Sequence, residues 1–153
     1  MKRILIVEDD LAFGTMIQTW LKKKGFDVER VTSVGAAIKA MGAGDAFHLV
    51  LSDLRLPDHD GLVLLQHIRK TDARLPFIVM TSYAEVQNAV CAMKSGATDY
   101  VAKPFHPEIL LEKIREAIQS AASAVSTPLR AESAAMKDAP QEGEQGATEV
   151  PRY

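Results

Sequence analysis

The sequence predicts an α/β fold, an open parallel sheet covered by helices on both faces. Three observations carry this. Short β-rich runs alternate with amphipathic helical stretches five times, and such alternation implies right-handed crossovers and a parallel sheet. The runs Ile4-Leu5-Ile6-Val7, His48-Leu49-Val50-Leu51-Ser52 and Phe77-Ile78-Val79-Met80 are almost continuously apolar, as strands buried on both faces must be. Four runs also end in chemistry-bearing residues, namely Glu8-Asp9-Asp10, Asp53, Thr81-Ser82 and Lys103-Pro104. Strand exits of an open parallel sheet line one edge, where such folds bind ligands.

The elements follow in order. After the first strand, Phe13, Ile17, Trp20 and Leu21 recur at helical spacing between about Leu11 and Lys24, and Gly25 closes the helix. Val28 to Val31 is a weaker, more polar strand that belongs at a sheet edge. Ser33 can cap a helix reaching about Met41, stopped by Gly42 and Gly44. The third strand, His48 to Ser52, leads to a helix carried by Leu62, Leu65 and Ile68. Pro76 precedes the fourth strand, and Val86, Val90 and Met93 mark a fourth helix closed by Gly96. Asp99 to Ala102 is the fifth strand. Pro107 suits the first turn of a last helix, with Leu110, Leu111, Ile114 and Ile118 on its buried face. From about Ser123 the pattern dissolves into Ala, Ser, Pro, Gln, Glu and Gly. The expectation is one domain over residues 1–122 and a flexible, weakly acidic linker or tail over 123–153.

Bulk properties narrow the function classes. At 153 residues, 47% apolar and 25% charged, the chain has the makeup of a soluble globular domain with a sizeable core. No apolar run approaches a membrane span, and Ile4 to Val7 is too short for a signal-peptide core. The single cysteine, Cys91, excludes an internal disulfide, fits a reducing cytoplasm and reads as a small helix residue. The net charge of -2 lies in the tail, because residues 1–125 carry fifteen basic and fifteen acidic groups. A neutral domain without a basic stripe is a poor direct binder of nucleic acid.

The shared edge reads as a site for a metal and a phosphoryl group. Glu8, Asp9 and Asp53 crowd negative charge there, and like charges that close demand a cation. Carboxylate oxygens without His or Cys select Mg²⁺ over zinc, and Mg²⁺ favours sparse sites completed by phosphate. The backbone carbonyl of Arg55 can add another oxygen. Negative charge at a helix N-terminus is favourable by itself, which accounts for Asp10 but not for three acids directly after a hydrophobic strand. Asp53 can be a ligand, a nucleophile forming an aspartyl phosphate, or both. Lys103 can neutralise a transferring group and Thr81 can bind one of its oxygens. The Lys103-Pro104 bond is a candidate for the cis form. His48, His59, His67 and His106 are too scattered for a zinc site.

Val7-Glu8-Asp9-Asp10, Ser52-Asp53-Leu54-Arg55-Leu56-Pro57, Asp60-Gly61, Met80-Thr81-Ser82, Gly96-Ala97 and Asp99-Tyr100-Val101-Ala102-Lys103-Pro104-Phe105 together resemble the signature of bacterial response-regulator receiver domains. The resemblance covers residues 1 to about 122. It implies a flavodoxin-like (βα)5 three-layer sandwich with strand order 2-1-3-4-5. It also implies a phosphoacceptor switch, not an enzyme acting on other molecules: Asp53 takes a phosphoryl group from a sensor histidine kinase and loses it slowly. By the same resemblance Asp9, Asp53 and the Arg55 carbonyl bind Mg²⁺ directly, Glu8 helps through water, and Thr81 and Lys103 contact the phosphoryl oxygens. Tyr100 then turns inward as Thr81 moves, switching the face formed by helix four, strand five and helix five.

The output has three readings. Thr81-Ser82-Tyr83, Ala89-Val90 and Ala92-Met93-Lys94-Ser95-Gly96-Ala97 are similar to receivers of NtrC-type transcriptional activators, which places an output domain beyond residue 153. A stand-alone regulator that docks on a partner protein and a phosphorelay intermediate are the alternatives. Homodimerisation through helices four and five, or through a helical start to the linker, is expected.

Overall fold

The computed structural model describes residues 1–44, 46–82 and 86–126. Ten elements alternate along it: β1 (Arg3–Val7), α1 (Leu11–Lys23), β2 (Asp27–Val31), α2 (Val34–Met41), β3 (Leu49–Asp53), α3 (Gly61–Thr71), β4 (Phe77–Ser82), α4 (Val86–Lys94), β5 (Asp99–Lys103) and α5 (Pro107–Ser126). The strands form one parallel sheet in the order β2-β1-β3-β4-β5, which is the flavodoxin-like order the motifs imply. The three most apolar strands are the interior ones, and the polar β2 is an edge.

Strand periodicity explains the near-continuous apolar runs. Leu5 and Val7 point into one core layer with Val34, Leu64, Leu65 and Ile68 of α2 and α3. Ile4 and Ile6 point into the other with Ile17, Leu21, Leu110 and Ile114 of α1 and α5. Both faces of β1 are therefore dry, and successive residues alternate between layers. Each of these side chains is at most 1% exposed, and full burial of a Leu or Ile contributes about 1.5–3 kcal/mol.

Helix starts are set locally. Asp10 caps α1 by accepting from the Phe13 N–H at 3.0 Å. Ser33 caps α2 through the Ala36 N–H at 3.1 Å, and Asp60 caps α3 through the Leu62 N–H at 2.9 Å.

Two features go beyond the sequence reading. Val90 and Met93 mark α4, but they are 45% and 38% exposed, while Ala89 and Ala92 face the core. Small side chains let this helix approach the sheet closely, and its larger apolar residues are left outward. The last helix also runs to Ser126, so its final turn overlaps the start of the tail expected from Ser123. Residues 127–153 lie outside the described residues. Met1–Gln119 forms one compact unit.

Candidate functional site

Parallel register brings the strand exits to one level. Val7 pairs with Ser52, Asp53 with Met80, and Thr81 and Ser82 with Ala102 and Lys103. Asp53, Thr81 and Lys103 lie within these pairs and Glu8 directly follows Val7, and Lys103 bonds to both Glu8 and Asp53.

Glu8 extends the β1–β2 pairing by one bond, its N–H donating to the Val31 carbonyl at 3.0 Å. Its side chain folds inward and is only 1% exposed. Oε1 accepts from Lys103 Nζ at 2.7 Å and Oε2 from the Asp10 N–H at 3.2 Å. Asp53, the last residue of β3, accepts from Lys103 Nζ through Oδ2 at 2.9 Å and from the Arg55 N–H through Oδ1 at 3.0 Å. Lys103 thus bridges residues 95 and 50 positions away in sequence. Its ammonium also stands 4.4 Å from the Phe13 ring centroid, and Phe105 meets Phe13 edge-on at 5.7 Å. The Lys103-Pro104 peptide is cis.

Burial and charge oppose each other here. Burial pushes the Glu8 carboxyl above its ordinary value, against the hydrogen bonds from Lys103 and the Asp10 N–H. Burial pulls the Lys103 ammonium down, but hydrogen bonds to Glu8 and Asp53 and the charges of both carboxylates outweigh it, so the ammonium is held above its ordinary value.

Glu8, Asp9 and Asp53 each bring one carboxylate oxygen within 4.8 Å of the others. One is buried, one half-buried and one exposed, so the group opens to solvent on the Asp9 side. Three hard oxygen donors with no imidazole or thiolate in the group fit Mg²⁺. One lysine among three carboxylates leaves net negative charge for such an ion to neutralise.

The other expected residues occupy defined places. Thr81 is 1% exposed at the end of β4, and its hydroxyl donates to the Ser82 carbonyl at 3.3 Å. Tyr100 is 38% exposed on the edge strand β5. Arg55 forms an isolated antiparallel bridge with Asp60.

Three further residues support the site, two of which escaped the sequence reading. Arg30 Nη1 donates to the Glu8 carbonyl at 3.3 Å from the end of β2. Asp58, in the loop after Asp53, accepts from the N–H groups of Val34 and Gly35 at 3.0 and 2.9 Å. These bonds, that from Gly35 first, hold its carboxyl below the ordinary value and anchor the loop to the start of α2. Gly61 fits because a Cβ there would stand 2.5 Å from the Asp53 carbonyl oxygen. The Asp60-Gly61 pair gave a hint of the last; the other two are long-range contacts with no periodic signature.

Residues 4–115 match the family described as the response regulator receiver domain. The response regulator protein FleR of Pseudomonas aeruginosa is 40% identical over 112 residues, which is 73% of this chain and 24% of FleR. The transcriptional regulatory protein ZraR of Escherichia coli is 34% identical over 115 residues, 75% of this chain and 26% of ZraR. The chain therefore spans about a quarter of the length of these curated relatives. Among solved structures, a CheY-like response regulator receiver domain protein from Methanospirillum hungatei superposes with a TM-score of 0.74 at 36% identity, covering 80% of this chain and 98% of that one. NtrX from Brucella abortus in complex with ADP gives 0.79 at 26% identity, covering 88% of this chain and 31% of that one.

Proposed function

The chain belongs to the response regulator receiver domain family, and from that premise we propose that Asp53 accepts a phosphoryl group from a sensor histidine kinase. One observation carries this: the Asp53 carboxylate ends β3 beside the Lys103 ammonium at 2.9 Å and within 4.8 Å of the Glu8 and Asp9 carboxylates. An Asp53 oxygen attacks the phosphorus of a phosphohistidine. A P–O bond forms, the P–N bond breaks, and the imidazole nitrogen leaves with the electron pair.

Lys103 supplies fixed positive charge toward the phosphoryl oxygens. The Thr81 hydroxyl stands at the end of the neighbouring strand, ready to exchange its bond to the Ser82 carbonyl for one to the incoming group. Glu8, Asp9, Asp53 and the Arg55 carbonyl are the Mg²⁺ set, and the ion when bound neutralises the negative charge shared by carboxylates and phosphate.

Output proceeds through α4, β5 and α5. Tyr100, Val90 and Met93 are exposed large hydrophobic residues of α4 and β5, and burying one of them in one of two packings supplies the free-energy difference a switch needs. Because the matched region is only about a quarter of the length of these relatives, the output we propose is that of an NtrC-type transcriptional regulator in the cytoplasm, with an output domain past residue 153 and a homodimer formed at this face.

The test is intact-mass analysis after incubation with a small acyl phosphate, with and without Mg²⁺, for wild type and Asp53→Asn. One phosphoryl group gained by wild type alone, and only with Mg²⁺, is expected. Equal gain by Asp53→Asn overturns the assignment.

A further inference from the structure

Arg30 meets the backbone of Glu8, whereas Lys103 meets its carboxylate, and Arg30 is unused by the chemistry above. Its Nη1 donates to the Glu8 carbonyl at 3.3 Å. The Glu8 N–H is held by the next residue of the same strand, through the Val31 carbonyl. Both backbone groups of Glu8 are therefore fixed by the end of β2, at the point where β1 turns toward Asp9 and Asp53.

Reaching that point is costly for Arg30 in two ways. Its Nε is buried with no hydrogen-bond acceptor among the described residues, an arrangement proteins ordinarily avoid. The guanidinium also occupies space that exists only because α1 carries Gly14 in its second turn. A Cβ at position 14 would meet Arg30 Cδ at 2.7 Å and both Nε and Nη1 at 3.3 Å. Glycine in a helix interior is itself unfavourable relative to alanine. The atoms a Cβ would meet belong to a flexible side chain, so a methyl group would displace Arg30 and leave the helix in place. A weakened helix and an orphaned donor at one contact need a common reason, and the Glu8 carbonyl supplies it.

We propose that Arg30 is a positioning residue for the acidic site, seated in the gap left by Gly14, where it holds the Glu8 carbonyl and through it the turn that aims Glu8 and Asp9 at Asp53. This rests on the Mg²⁺ reading of that site. Arg30 acts by geometry: its positive charge alone would weaken the binding of a cation, so its removal strengthens Mg²⁺ binding unless positioning dominates.

The experiment is calorimetric titration of Mg²⁺ into the metal-free protein, paired with urea unfolding, for wild type, Gly14→Ala, Arg30→Met and the double variant. Gly14→Ala retains every charge and moves only the guanidinium. It is expected to lower Mg²⁺ affinity roughly ten-fold, the scale for loss of a residue that orients a ligand, while unfolding no more easily than wild type. Arg30→Met is expected to lower it by a similar factor, with no further loss in the double variant, because Gly14 matters only by admitting Arg30. If wild type binds Mg²⁺ and both single variants bind it as well or better, the role of Arg30 is overturned. Additive losses in the double variant overturn it too. A wild type that takes up no Mg²⁺ overturns the metal reading, and this proposal falls with it.

Discussion

Lys103→Met tests whether the lysine neutralises the acidic site or merely lies across it. Methionine keeps the packing against Phe13 and removes the ammonium. Glu8 Oε1 then loses its partner at 2.7 Å and Asp53 Oδ2 its partner at 2.9 Å. Glu8 is 1% exposed and has two recourses. Remaining charged and unpaired costs roughly 3–5 kcal/mol. Taking up a proton at pH 7 costs about 3.4 kcal/mol for a carboxyl at its ordinary value of 4.5, at about 1.36 kcal/mol per unit. Burial already holds Glu8 above that value, so protonation is the cheaper route. The expected loss at neutral pH therefore stays below about 3.4 kcal/mol. The pH dependence follows from that route. A carboxyl raised in the folded state contributes stability that is present below its unfolded value and lost as pH rises through the folded one. The deficit of the variant is thus small near pH 4.5 and grows as pH rises. Urea unfolding followed by circular dichroism at about pH 5 and about pH 8 reads this directly, and millimolar Mg²⁺ should restore part of the loss at the higher pH. A deficit of equal size at both pH values, untouched by Mg²⁺, would show that Lys103 does not balance these carboxylates.

Two further outcomes follow from particular contacts. Gly61→Ala drives a Cβ to 2.5 Å from the Asp53 carbonyl oxygen and 3.0 Å from the Leu54 Cα; both are backbone atoms, so the fold should lose about 1–3 kcal/mol in urea unfolding and phosphorylation by an acyl phosphate should slow, whereas unchanged stability would mean that the loop gives way freely. His48 Nδ1 accepts the Arg3 N–H at 2.9 Å, and burial, then the charges of Lys2, the N-terminus and Arg3, hold its pKa below the ordinary 6.5. The folded state therefore favours neutral His48, and stability should decline modestly, given its exposure, as pH falls below 6.5; His48→Asn, whose Oδ1 accepts at every pH, should remove that part of the decline in thermal melts.

The fold was legible because each strand announces its neighbours. Ile4 to Val7 could be placed inside the sheet from its unbroken apolar character, and both of its faces are buried. The site was legible for a related reason: strand exits in a parallel sheet must meet, so Glu8, Asp53, Thr81 and Lys103 could be grouped without knowing any distance. Helix faces were harder. The spacing of Val90 and Met93 marks a helix but not which side is dry, because alanines too small to dominate the pattern face the core in α4. Contacts such as Arg30 to Glu8 and Asp58 to the start of α2 depend on loops and side chains meeting across the fold, and no local pattern encodes them.

The alanine face of α4 has a mechanical consequence. Among its described side chains, the buried ones are Ala89 and Ala92. A methyl group gains under about 1 kcal/mol on burial, against about 1.5–3 kcal/mol for a leucine or isoleucine. The rim of the sheet beside β5 is therefore compliant, whereas α3, gripped by Leu64, Leu65 and Ile68, is stiff. A push delivered at the end of β4 would tilt α4, held among its described side chains by two buried methyl groups, more readily than it would shift α3.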